Sequence, residues 1–248
     1  MAYRAVLFDL FDTLVLFDRE RLPLIEVSGK ALRSTAGHVH AAVARHFPDV
    51  SLDAVYSGLA ESWKEAERQR AIDHREVAAP ARFAHFLQCL AIDPASCPTD
   101  FVRSLADTHR RELGKAAEFP AHHGVLLQKL AARYRLAVVS NFDYTPTALD
   151  ILGGAGVVEL FEAIVVSDAV GWRKPHARIF EATLARMGLT PDGALFVGDR
   201  LDIDVAGAQA VGMDTAWVNR EGGTIPAATL APTFEITDLG ELGPILGV

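Results

Sequence analysis

Residues 3–14 read Tyr-Arg-Ala-Val-Leu-Phe-Asp-Leu-Phe-Asp-Thr-Leu, a short apolar run that ends at Asp9. A run of this length without polar alternation suits a strand buried on both faces of a parallel sheet. Asp9 then stands at the carboxyl end of that strand, the end at which open α/β sheets bind ligands. Similar runs recur at Leu136–Val139, Ala163–Val166 and Ala194–Val197, with a weaker one at Thr215–Val218. Helical patterns at Gly124–Arg133, Thr145–Leu152, His176–Met187 and Ile203–Val211 separate them. Strands alternating with helices predict right-handed crossovers and a doubly wound parallel sheet, an α/β core of Rossmann-like type.

Between about Leu16 and Glu118 the alternation stops. Helical patterns at Gly37–His46, Leu52–Arg70, Pro80–Leu90 and Asp100–Leu113 fill the gap, punctuated by Pro48, Pro80, Pro94, Pro98 and Pro120. The expectation is a core built from residues 1–15 and 119–248, with an all-helical unit of residues 16–118 inserted after the first strand. Within that insert Trp63 and Phe83 are expected in the core, and Cys89 as a buried thiol in the apolar run Phe83–Leu90.

The composition is that of a globular protein with a sizeable core: 248 residues, 50% hydrophobic and 23% charged. A formal charge of -8 argues against a nucleic-acid binder, yet leaves room for a small anionic substrate if a few cations and a metal reverse the field in one cleft. Two cysteines, Cys89 and Cys97, make neither a disulfide framework nor a metal pattern. No stretch approaches the ~20 apolar residues that cross a bilayer, so no membrane role is expected. The first residues lack the order of a secretory leader, and a cytoplasmic setting is the expectation. A monomer or homodimer is the ordinary oligomeric state for such a chain.

Chemistry collects at the strand ends. The first supplies Asp9, Phe11, Asp12 and Thr13, the second Ser140 and Asn141, and the fourth Gly198 and Asp199; Lys174 follows the third by a short loop. One such aspartate is explained as a turn or cap residue; Asp, Ser, Lys and Asp in that order are not.

In that order, Phe-Asp-Leu-Phe-Asp-Thr-Leu at 8–14, Val-Ser-Asn at 139–141, Arg-Lys-Pro at 173–175 and Val-Gly-Asp-Arg-Leu-Asp-Ile-Asp at 197–204 resemble the four motifs of the haloacid dehalogenase superfamily. The resemblance covers residues 1–15 and roughly 120–220, and places the helical insert where many members carry a cap. It implies that Asp9 is a nucleophile forming an aspartyl phosphate, and that Mg2+ is bound by Asp9, Asp199 and the Phe11 carbonyl, with Asp204, or Asp202 in its place, in direct or water-mediated contact. It also implies that Lys174 pairs with Asp9 and the transferring group, that Ser140 donates to developing charge and that Thr13 orients the loop. These roles agree with the oxygen-rich ligand sets that Mg2+ prefers and with the need to split a hard displacement into two steps. Asp12 and Asn141 are assigned to substrate contact or loop shape. Within the insert, Arg33 is the cation assigned to an anionic substrate, because a guanidinium grips a carboxylate or phosphate with two hydrogen bonds. His122 and His123 fall in the return to the core and receive no role.

The chain departs from the pattern at Phe11. Phosphatases of the superfamily carry a second aspartate there, which protonates the leaving alcohol, and general acid–base groups are typically worth ~10²–10⁴ in rate. Dehalogenases resemble this chain in having an aromatic residue at that position, but need no metal. Phe11 thus points to a leaving group that needs little protonation, while Asp199 and Asp204 point to a cation. Three functions stay open: a magnesium-dependent phosphatase or acyl phosphatase on a small metabolite, a dehalogenase of 2-haloacids, and a binding protein that has kept the fold.

Overall fold

A computed structural model describes residues 3–225 and 231–248. Six strands form one parallel sheet: β1 (Ala5–Phe8), β2 (Arg135–Ser140), β3 (Ala163–Val166), β4 (Ala194–Gly198), β5 (Asp214–Val218) and β6 (Phe234–Ile236), in the spatial order β6-β5-β4-β1-β2-β3. Strand β1 lies at the centre, with Phe8 level with Val138 of β2 on one side and Val197 of β4 on the other. All four of its residues are buried, as the unbroken apolar run requires. The order of connection reverses across β1, which makes its carboxyl end the switch point of the sheet. Strand β6 escaped the sequence reading because Phe234-Glu235-Ile236 is too short for its period to register.

The helices that connect the strands run over Ala121–Ala131, Thr145–Gly154 and Ala177–Met187, within a few residues of their expected bounds. One face of the sheet packs on Ile179, Phe180, Leu184 and Met187, and the rings of Phe180 and Phe196 meet edge to face at 5.2 Å.

The chain divides into two compact units, residues 1–17 with 118–248, and residues 18–117. The second unit holds helices Ala36–Ala44, Leu52–Asp73, Ala79–Cys89 and Phe101–Gly114 around a core that includes Val39, Val43, Val55, Phe83, Phe86 and Leu105. It is not all helical. Leu24–Val27 and Lys30–Arg33 pair as an antiparallel hairpin. Ser28 (φ 49°) and Gly29 (φ 73°) form its two-residue turn, a left-handed pair that matches the twist of the flanking strands. Four residues a strand are too few for alternation to stand out among helical patterns.

Two expected core residues lie at the surface. Cys89 ends its helix and is exposed, with its Sγ 3.7 Å from Nε2 of His85 one turn earlier. Trp63 is 44% exposed and carries the guanidinium groups of Arg70 and Arg82 at 5.1 and 5.7 Å from its ring. Cation–π contact with partly exposed rings replaces burial there. Phe83 is fully buried as expected.

His109 faces the ring of Phe83, and its Nδ1 is 2.6 Å from Thr35 Oγ1. Burial, then Arg110 and Arg82, hold its imidazole well below the usual 6.5. The unfolded chain therefore binds the proton more readily, and stability falls as pH drops below about 6.5. Urea unfolding across this range should give a flatter curve for His109→Gln than for the wild type, by up to ~1.4 kcal/mol per pH unit. Parallel curves would contradict this account.

Candidate active site

Asp9 is the first residue past β1, and its N–H donates to Val197 O of β4 at 2.9 Å, so the sheet itself fixes its main chain. The chain then turns tightly. Leu14 N and Val15 N both donate to Leu10 O at 2.9 Å, Asp12 takes φ 55°, and Phe17 N donates to Asp12 Oδ1 at 3.1 Å. Asp12 thus shapes the loop with one oxygen while it borders the cavity. Arg220 closes the loop from outside by donating to the carbonyls of Asp12 and, at 3.1 Å, Thr13.

Lys174 is buried, and its ammonium pairs with Asp9 Oδ1 and, at 2.8 Å, with Asp204 Oδ1. Asn141 holds this lysine in place: its Oδ1 accepts from Lys174 N at 2.7 Å and its Nδ2 donates to Lys174 O at 2.9 Å. Of the two roles open to Asn141, substrate contact or loop shape, these bonds use its amide for the second, on the main chain of Lys174. The ammonium also lies 5.4 Å from the ring centre of Phe196.

Asp204 reaches back to the strand end through one wide turn at Leu201–Val205, where Val205 N bonds to Arg200 O five residues earlier. Its Oδ2 accepts from Arg200 N at 3.1 Å. This return explains Gly198: a Cβ there would stand 2.5 Å from Asp204 Cβ, Cγ and Oδ2. Asp202, by contrast, is exposed and paired with Arg200. Asp199 is half-buried, and its carbonyl accepts from Trp217 Nε1 at 2.8 Å.

One ligand oxygen from each of Asp9, Asp199 and Asp204 lies within 4.8 Å of the others. Burial raises the Asp9 carboxyl to about 7; Lys174 pulls it down, while Asp204 and Asp199 push it up. Burial, then Asp204 and Asp12, raise Asp199 to about 6. Burial disfavours the Lys174 ammonium, but Asp204 and Asp9 more than offset this and raise its value. The Lys174 ammonium faces the carboxylates of Asp9, Asp199 and Asp204 together, an excess of negative charge of the kind that a divalent ion relieves. The hydroxyls of Thr13 and Ser140 are buried, and neither has a hydrogen-bond partner among the described residues.

Asp9, Phe11, Asp12, Ser140, Asn141, Lys174, Asp199 and Asp204 line one cavity of about 210 Å³, joined there by Arg173, Arg200 and Ile203. Thr13, in the same loop, is buried and does not line the cavity. Phe11 packs its ring at 4.9 Å on Phe142 and 6.3 Å on Phe17. Arg33 belongs to the inserted unit, where it donates to Leu22 O at 3.1 Å and pairs with Glu20 at 3.4 Å. Trp217 and Arg220 went unread in the sequence because each acts on a main-chain atom, and no motif marks such a contact.

A parallel sheet with a buried carboxylate at its switch point, a lysine against it and an acidic pair beyond defines a class of hydrolase core. The model of the haloacid dehalogenase-like hydrolases matches residues 3–212, and the chain belongs to that family. It is 29% identical over 214 residues to glyceraldehyde 3-phosphate phosphatase of Pyrococcus abyssi, covering 86% of this chain and 80% of that protein. It is 35% identical to the Methanothermobacter thermautotrophicus protein of the same name, over 46% of this chain and half of the relative. Among solved structures, the 2-haloacid dehalogenase of Pseudomonas syringae pv. Tomato matches at TM-score 0.72 and 24% identity, covering 100% and 99% of the two chains. A haloacid dehalogenase-type phosphatase of Thermococcus onnurineus matches at TM-score 0.64 and 23% identity, covering 98% of each. The two structures share the fold.

Substituting Gly198→Ala should lower stability by ~1–3 kcal/mol, the usual cost of overpacking, by pushing Asp204 off Lys174. Urea unfolding of the two chains side by side measures it; equal midpoints would mean that the turn has slack the geometry denies.

Proposed function

We propose that this hydrolase is a magnesium-dependent phosphatase of small phosphorylated metabolites, with Asp9 as the nucleophile. The observation that carries the reading is the cluster of Asp9, Asp199 and Asp204 around a single lysine. Asp9, Asp12, Asp199 and Asp204 outnumber Arg173, Lys174 and Arg200 around the cavity, so without a further cation it disfavours an anionic substrate, a haloacid as much as a phosphate. Asp9, Asp199, Asp204 and the Phe11 carbonyl would hold Mg2+, which when bound neutralises the carboxylates and a phosphate oxygen. The names of the matched relatives agree with a small phosphate ester.

An Asp9 carboxylate oxygen attacks phosphorus, the bond from phosphorus to the leaving oxygen breaks, and an aspartyl phosphate forms. Water then attacks phosphorus, inorganic phosphate leaves and Asp9 is restored. The Lys174 ammonium offsets charge as the two anions approach, and Asn141 keeps it there by gripping its main chain. The Ser140 hydroxyl has no hydrogen-bond partner among the described residues and serves as a donor to the phosphoryl group; Thr13 supports the loop. The inserted unit follows the first strand, where members of the family carry a cap, and substrate selection is assigned to it.

Phe11 supplies no proton, so leaving groups that depart as stable anions are preferred, acyl phosphates above alkyl esters. The same ring supports a second reading, dehalogenation, since halide leaves unprotonated. The test is hydrolysis of acetyl phosphate, p-nitrophenyl phosphate, glyceraldehyde 3-phosphate and 2-chloropropionate, with magnesium and with chelator. Phosphate release should require magnesium, favour acetyl phosphate and vanish in Asp9→Asn. Phe11→Asp should raise the rate on the alkyl ester relative to acetyl phosphate, by up to ~10²-fold, the lower end of general-acid catalysis. Halide release that survives chelation would overturn the phosphatase reading in favour of the dehalogenase.

A further inference from the structure

His122 and His123 open the helix Ala121–Ala131, and Asp238 caps the turn Leu239–Glu241. None of the three lines the cavity at Asp9. His122 Nε2 stands 3.0 Å from Asp238 Oδ2, and the two imidazole rings are 4.4 Å apart. His123 is 1% exposed, and its Nδ1 lies 2.8 Å from the carbonyl oxygen of Leu14. A carbonyl can only accept, so Nδ1 carries the proton and Nε2 the lone pair. That Nε2 is buried and has no hydrogen-bond partner among the described residues. One ligand atom from each of the three side chains lies within 4.8 Å of the others.

We propose that His122, His123 and Asp238 form a second metal site, for a divalent transition ion of the Zn2+ class, which fastens the loop that carries Asp9. Two imidazoles and a carboxylate suit Zn2+ and its neighbours rather than Mg2+, which takes oxygen ligands. Three protein ligands leave a fourth position for water in a tetrahedral shell. A ligating histidine commonly donates its other N–H to a carbonyl, the arrangement His123 already has with Leu14. A simple ion pair of His122 with Asp238 is the plainer account, but both side chains are about half exposed, where such pairs contribute little, and it leaves the buried His123 nitrogen unexplained. Leu14 is hydrogen-bonded through its N–H to Leu10 O and through its O to His123, so an ion on Nε2 polarises the Nδ1–H that ties down the nucleophile loop.

The test uses tag-free full-length protein stripped with chelator and titrated calorimetrically with Zn2+, and separately with Co2+ to read imidazole coordination in its visible spectrum. It compares the wild type with His122→Ala, Asp238→Asn and Asp199→Asn. Asparagine caps a helix as well as aspartate, so Asp238→Asn keeps the turn, and the His122 side chain is about half exposed. We expect one Zn2+ site that persists in Asp199→Asn and weakens by ~100-fold or more in His122→Ala and Asp238→Asn, since even outer contacts to a metal cost up to ~100-fold. Zn2+ should also raise the melting temperature of the wild type and not of His122→Ala. Zn2+ binding unchanged in both variants, or absent from the wild type, would overturn the proposal. Neither result depends on turnover, so the site stands or falls apart from the phosphatase reading.

Discussion

The buried ammonium of Lys174, held between Asp9 and Asp204, is the contact on which the rest of the site is arranged. Taking three such charges out of water costs several kcal/mol each, and only their close approach and further hydrogen bonds offset it. Removing one partner of a buried pair typically costs ~3–5 kcal/mol, so this triad has to be built accurately or not at all. The fold supplies that accuracy from three directions. Asp9 hangs from the central strand, Lys174 is gripped through its main chain by Asn141, and Asp204 is returned to the strand end by a wide turn that only Gly198 leaves room for.

The same triad is underpaid in charge. Asp199 brings a third carboxylate, and both Asp9 and Asp199 are pushed well above the usual aspartate range. In the proposed reaction Asp9 has to be ionised to attack, and burial with two neighbouring carboxylates works against that. The divalent cation proposed for this site would favour the ionised carboxylates and draw in an anionic substrate. In the same proposal Phe11 limits the leaving groups, because no carboxyl stands two residues after Asp9 to protonate them.

The sheet and its ligand end were legible because they depend on local signals. An apolar run ending in a polar residue marks a buried strand and its carboxyl end, and it did so at Asp9, Ser140 and Asp199. Contacts set by tertiary structure were not legible. Nothing in the strings around Trp217 or Arg220 reveals that they bind the carbonyls of Asp199, Asp12 and Thr13. For Asn141 the sequence left substrate contact and loop shape both open, because it gives the residue type at a strand end and not the direction of its amide. The hairpin before the first helix of the insert was missed for lack of length, and Cys89 and Trp63 because apolar character alone does not say which side of a helix faces the core. His122 and His123 carried no signal until the fold brought Asp238, more than a hundred residues away, to the same place.

The central claim is that Asp9 forms a covalent bond with the group it transfers. Acid quench of the enzyme during turnover of acetyl phosphate with magnesium, followed by peptide mass spectrometry, measures this directly. The account predicts one added phosphoryl group on the peptide containing Asp9, absent in Asp9→Asn and lost on incubation with base. Steady turnover with Asp9 unmodified, or a phosphoryl group on another residue, would contradict it.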